Sequence, residues 1–158
     1  MSDFTYRNLP PDQVHMVYPL VREVVPLLDL KTWTRLARRI ANPKRAEHAG
    51  IRVVLRSPRP LPCGLFLYRR EDDLAHGPIL VAEHMVAIDV LDPQPVMSAL
   101  VRDLEALAER LGCSAIRTMV LGQSSLAASG LYAAGHRPEG ATLWKPVEDM
   151  PARHKAHA

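Results

Sequence analysis

Cysteine is nearly absent from this chain. Cys63 and Cys113 stand fifty positions apart with no Cys-x-x-Cys pairing, which excludes a disulfide framework and a cysteine-based zinc site. The seven histidines, His15, His48, His76, His84, His136, His154 and His157, show no His-Glu-x-x-His or comparable ligand spacing, so no metal is expected. No apolar run approaches the roughly 18 residues of a membrane span. The opening Met1-Ser2-Asp3-Phe4-Thr5-Tyr6-Arg7 also lacks the apolar stretch of a signal peptide. The expectation is a cytoplasmic protein without membrane contact. Gly-x-Ser-x-Gly and a glycine-rich Walker loop are both missing, as are internal repeats and low-complexity blocks. Charge of one sign is in short supply too, with 20 Lys and Arg against 17 Asp and Glu for a net +3. The basic stretch Lys31, Arg35, Arg38, Arg39, Lys44, Arg45 has no interleaved aromatics, and nucleic acid is therefore disfavoured as a partner.

What is present is enough for one core: 158 residues, 47% of them hydrophobic. We expect a single domain over residues 1–147. The polar tail, residues 148–158, has little to bury and is expected to be mobile. Phe4 to Leu9 alternates like a short strand, and Pro10-Pro11-Asp12 stops it, with Asp12 offered as a helix N-cap. Val14, Val17, Val21 and Val25 recur at helical spacing around Pro19, which must shorten or kink the segment. Asp29 is placed to cap a second helix, Leu30 to Ala41, whose stripe is Trp33, Leu36, Ala37 and Ile40. Three extended segments follow: Ile51 to Arg56, Leu65 to Arg70 and Ile79 to Leu91. The last two read as a hairpin, and the third is long enough that we expect it to be central and bulged.

Pro93 to Leu111 carries the clearest helical period, Val96, Leu100, Leu104, Leu107 and Leu111, closed by Gly112. Ala115 to Leu121 is then a strand reached by a helical crossover, which favours parallel pairing with Ile79 to Leu91. A shorter helix, Ser124 to Ala134, ends at Gly135. A terminal hairpin is expected to turn near Pro138-Glu139-Gly140 into Ala141-Thr142-Leu143-Trp144-Lys145. The fold class is α/β, a central mixed sheet flanked by helices on both faces.

This order of elements resembles the GNAT superfamily of acyl-CoA-dependent N-acyltransferases, over roughly Phe4 to Val147. The most specific part is Met85-Val86-Ala87-Ile88-Asp89 running into Ser98-Ala99-Leu100-Val101, Leu104-Glu105 and Glu109-Arg110-Leu111-Gly112-Cys113. It is similar to the family's central strand, cofactor helix and following glycine. Ala127 to Gly140, with Leu131-Tyr132 ahead of Gly135-His136, is similar to the family's helix that ends in Leu-Tyr and then Gly-Phe. The resemblance implies acetyl-CoA or another acyl-CoA as co-substrate and the amine of a small molecule or peptide as acceptor. It leaves a homodimer open.

The resemblance also assigns roles. An amide in the run Ala87, Ile88, Asp89, Val90 would polarise the thioester carbonyl. Amides of Gln94, Val96, Met97 and Ser98, with the Ser98 hydroxyl, would hold the pyrophosphate at a helix N-terminus, and Ser125 would lie toward the adenosine phosphate. Glu83, a carboxylate interrupting an apolar strand, would take the acceptor's proton, and Tyr132 would protonate the departing thiolate. His84 is expected on the opposite face from Glu83 unless a bulge intervenes. The chain departs from the family pattern of Arg or Gln, two residues, Gly, one residue, Gly or Ala: here Asp92, Pro93, Gln94, Pro95, Val96 and Met97 stand in register. Each proline removes one backbone donor. The alternative reading is accordingly a catalytically inactive GNAT-like domain that binds a ligand or a protein.

Overall fold

The structure is a computed structural model, and it describes residues 3–120 and 125–147. Five strands form one sheet in chain order: β1 (Phe4–Asn8), β2 (Ala49–Arg56), β3 (Leu61–Asp73), β4 (Gly77–Ala87) and β5 (Ala115–Met119). The first four run antiparallel, and β5 joins β4 in parallel. The crossover between them is the helix α3 (Gln94–Arg110). A helix of that length carries the chain back along the sheet, as a parallel connection demands. The sheet is mixed, with helices on both faces, as the sequence indicated.

One face carries α3 and α4 (Ser125–Ala133). There Val96, Leu100, Leu104 and Leu107 meet Phe66, Leu80, Ala82 and Met85. The other face carries a 3-10 segment (Pro11–Val17), α1 (Tyr18–Val24) and α2 (Leu30–Ile40), packed through Val14, Val17, Val21, Trp33 and Ala37 onto Ile51, Val53, Leu65 and Val86. The Trp33 indole donates to the Val14 carbonyl at 2.6 Å, tying α2 to the 3-10 segment. Asp29 caps α2 as expected, its carboxylate accepting from the Thr32 amide and hydroxyl, both at 2.8 Å. Gly112, at φ +69, ends α3 through a bond from the Cys113 amide to the Ala108 carbonyl. Between sheet and α3 lies a buried ion pair: Arg52 grips Asp103 through two bonds of 2.7 and 2.9 Å, and donates on to Asn8 at 3.0 Å.

Some expectations need correction. Asp12 caps no helix; Pro10 occupies the cap position and Pro11 begins a 3-10 turn. Pro19 marks a start, because α1 opens around it, where a missing N–H costs nothing. The third extended segment leaves the sheet after Ala87 instead of continuing to Leu91, and β3 is longer than its apolar stretch, reaching from Leu61 to Asp73. No terminal hairpin forms: residues 136–147 are in no strand. Ser124 and residues 148–158 lie outside the described residues. Among the described residues, no helix is long and apolar enough to cross a membrane.

Candidate active site

The site is created by a strand that loses one neighbour while keeping the other. Among the described residues, pairing between β4 and β5 runs from Ile79–Ala115 to Glu83–Met119. On its other edge β4 stays paired with β3 as far as Ala87–Gly64, and the Ile88 amide still donates to the Cys63 carbonyl at 2.8 Å. Peptide groups alternate sides along a strand, so the Ala87 amide and carbonyl face the edge from which β5 has departed. Among the described residues nothing pairs with that edge past Glu83, and we call the opening the wedge.

The opening coincides with a bulge. Leu65 pairs with Val86 and Leu67 with Glu83, which leaves His84 and Met85 opposite the single residue Phe66. His84 absorbs the extra length at φ +56, the only positive φ at a non-glycine among the described residues. Such a conformation costs on the order of 1–3 kcal/mol and persists only where the surroundings over-determine it. The bulge brings the adjacent side chains to the same side. His84 Nε2 lies 3.9 Å from a Glu83 carboxylate oxygen, where regular alternation would have put them on opposite faces. Burial pushes the His84 imidazole below its ordinary pKa, against the raising effect of Glu83. Glu83 in turn is held by the Arg69 guanidinium at 2.5 Å, and Arg69 also binds Glu71 at 2.7 Å.

Beyond Ala87 the chain turns into the helix through its own carboxylates. Asp89 accepts from the amides of Leu91 (2.8 Å) and Asp92 (3.2 Å) and pairs with Arg56, whose guanidinium also stacks over Phe4. Those two amides, followed by Arg56, hold the Asp89 carboxyl below its usual value. Asp92 accepts from the Gln94 amide at 2.9 Å. Met97 donates to the Pro93 carbonyl at 3.0 Å, and both Val96 and Met97 are buried in the core. The amides sequence reasoning reserved for a pyrophosphate are thus already used or enclosed at Gln94, Val96 and Met97. The Gln94 and Ser98 side chains are exposed. Of the four residues meant to present an oxyanion amide, Ile88 is committed to Cys63, Asp89 caps the turn by its side chain, and Val90 is fully exposed. Ala87 fits by position.

Tyr132 projects into solvent from the end of α4, 58% exposed, while Leu131 packs into the core. Ser125 begins α4. A shallow groove of about 560 Å³ between the end of α3, β5 and residues 134–137 is not lined by Tyr132. Sequence reasoning missed Arg69 and Arg56. Each is an unremarkable strand arginine until the register places Arg69 beside Glu83 and Arg56 beside Asp89.

An acyl-CoA makes two demands on this region. The open edge of β4 fits an extended, amide-bearing pantetheine arm. The turn after β4 does not fit a diphosphate in the usual cradle, because Asp89 and Asp92 occupy its amides and Pro93 and Pro95 supply none.

No family model and no curated protein sequence matches the chain. Solved structures do. The aminoglycoside N-acetyltransferase AAC(6')-Iy, in complex with CoA, superposes with a TM-score of 0.75 at 11% identity, over 94% of this chain and 97% of that one. Glucosamine-6-phosphate N-acetyltransferase from Arabidopsis thaliana gives 0.68 at 12% identity, over 93% and 100%. Ribosomal-protein-alanine N-acetyltransferase from Brucella melitensis biovar Abortus 2308 gives 0.71 at 10%, over 91% and 99%. The five-stranded mixed sheet with its crossover helix is therefore the GNAT N-acetyltransferase fold.

Proposed function

We propose that this chain is an acyl-CoA-dependent N-acyltransferase that acts on the amine of a small molecule or peptide. The observation that carries the reading is that, among the described residues, β4–β5 pairing ends at Glu83–Met119 while β4 stays paired with β3 as far as Ala87. The co-substrate supplies an activated acyl carbon on a thiol leaving group. The Ala87 amide is directed into the wedge and serves as the donor for the thioester carbonyl oxygen. Gln94 and Ser98, exposed at the start of α3, are left to contact the diphosphate by their side chains or by rearrangement, and Ser125, the first residue of α4, remains a candidate for the adenosine-phosphate side. Tyr132 serves as proton donor to the thiolate. Aminoglycoside and sugar-phosphate acetyltransferases of the same fold support an amine acceptor.

A second reading, a non-catalytic domain that binds a ligand or protein, is favoured by one observation: Asp89 and Asp92 take the loop amides for themselves. Calorimetric titration with acetyl-CoA, followed by thiol-release assays over a panel of primary amines, separates the two. Saturable heat and amine-dependent release of free thiol support transfer. Absence of both at millimolar acetyl-CoA supports the second reading.

A further inference from the structure

Three features meet at one residue of the wedge. His84 occupies a strained bulge position that favours glycine. It stands one residue past the last β4–β5 pair among the described residues, where thioester and acceptor would meet. Its Nδ1 is sealed from solvent and has no hydrogen-bond partner among the described residues, so proton exchange runs through Nε2, on the partly exposed side beside Glu83. A merely structural histidine would find a partner for a buried nitrogen, and a bulge with no other task would use glycine.

We propose that His84, rather than Glu83, receives the proton of the acceptor amine, and that Glu83 and Arg69 position it. The inference rests on the N-acyltransferase reading above. Arg69 engages the Glu83 carboxylate at 2.5 Å, so that oxygen is already taken up by a charged donor on β3. Burial keeps the His84 imidazole neutral at pH 7, the form that can accept a proton. In the step, the amine nitrogen bonds to the acyl carbon, the carbon–sulfur bond breaks with its electron pair leaving on sulfur, and the amine proton goes to His84 Nε2. The imidazolium so formed faces the Glu83 carboxylate and later returns its proton to water. Among the described residues Glu83 is the one charged partner of His84. From β3 Arg69 acts at one remove, and α1, α3 and β5 place no ion-pairing group on the ring.

The test uses the full chain, acetyl-CoA and the best amine of the panel, with thiol release followed from pH 5.5 to 9. His84→Gln is expected to lower kcat/KM by about 100-fold or more, the usual share of a general base, and to erase the acidic limb of the profile. Glu83→Gln should keep activity to within about tenfold. It should move that limb to lower pH, since the charge that raises the imidazole pKa is gone. His84→Gly, which suits φ +56, should show the same loss while melting near the parent, and so excludes misfolding as the cause. Activity of His84→Gln within threefold of the parent, persistence of its acidic limb, or a deeper loss in Glu83→Gln than in His84→Gln would overturn the proposal. A parent protein that releases no thiol with any amine refutes N-acyl transfer itself, and the base assignment with it.

Discussion

Replacing Asp89 by alanine should convert the turn after β4 into a better anion site. In the parent, Asp89 Oδ1 takes the Leu91 amide at 2.8 Å and the Asp92 amide at 3.2 Å, and its other oxygen neutralises Arg56. Alanine releases both donors and the guanidinium. A hydrogen bond to a charged acceptor is worth about 1.5–3 kcal/mol. The 3.2 Å contact deserves the low end, so about 3–4 kcal/mol becomes available to a diphosphate. The two loop residues freed by the change, Leu91 and Asp92, must be ordered again at about 1 kcal/mol each. The remainder, about 1–2 kcal/mol, corresponds to roughly tenfold tighter acetyl-CoA binding. Isothermal titration with acetyl-CoA measures it, and pantetheine, which fills the wedge without carrying a diphosphate, is the control. The gain should appear for acetyl-CoA alone and shrink with added salt. Unchanged acetyl-CoA affinity, or an equal gain for pantetheine, would refute the idea that Asp89 stands where the anion would.

Acidification should destabilise the fold in two stages. The folded His84 pKa is lowered from its ordinary 6.5, so the unfolded chain binds that proton first, and stability present above about pH 6.5 declines as pH falls past it. The carboxyls of Asp73, held down chiefly by Arg117, and Asp89, held down chiefly by the Leu91 amide, contribute stability above about pH 4 that is lost on further acidification through their depressed values. Urea midpoints between pH 3 and 8 should show both declines, and His84→Gln should lack the first. Asp103→Leu should cost about 3–5 kcal/mol, because it strands the buried Arg52 guanidinium. The double variant Arg52→Met, Asp103→Leu should recover most of that loss. A double variant as weak as the single one would mean the pair itself, rather than the stranded charge, sets the cost.

What could be read from the sequence was what depends on neighbours within a few positions. The α3 stripe Val96, Leu100, Leu104, Leu107 names its own buried face, and the length of that helix demands a parallel return strand. Asp29 reaches only as far as Thr32 to make its cap. The site depends on residues far apart in the chain. Arg69 meets Glu83 across 14 positions and Arg52 meets Asp103 across 51, and no local pattern announces either. The end of β4 differs from the sequence expectation for a physical reason. Ile88, Val90 and Leu91 continue an apolar run, yet Val90 and Leu91 are almost fully exposed, because Asp89 captures the following amides and turns the chain out of the sheet. The missing terminal hairpin has the same character. Leu143 and Trp144 alternate suitably, but residues 141–147 stay exposed and unpaired with the sheet.

The bulge also shows where regular strand and functional strand part company. Leu80 and Ala82 face α3, and so does Met85, three positions on; Val86 faces the α1 and α2 layer. An unbroken strand would send 80, 82, 84 and 86 to one side. Removing one residue between Ala82 and Met85 restores that alternation with every apolar side chain still on its present face. Deletion of His84 should therefore leave a folded protein whose melting temperature equals or exceeds the parent's, since the positive φ and the orphan imidazole nitrogen go together. The straightened β4 should stay beside β5 past Glu83, and binding of both pantetheine and acetyl-CoA should disappear. An unfolded deletion variant would show that His84 contributes to the core. A folded one that still binds pantetheine would show that the wedge has another origin than the bulge.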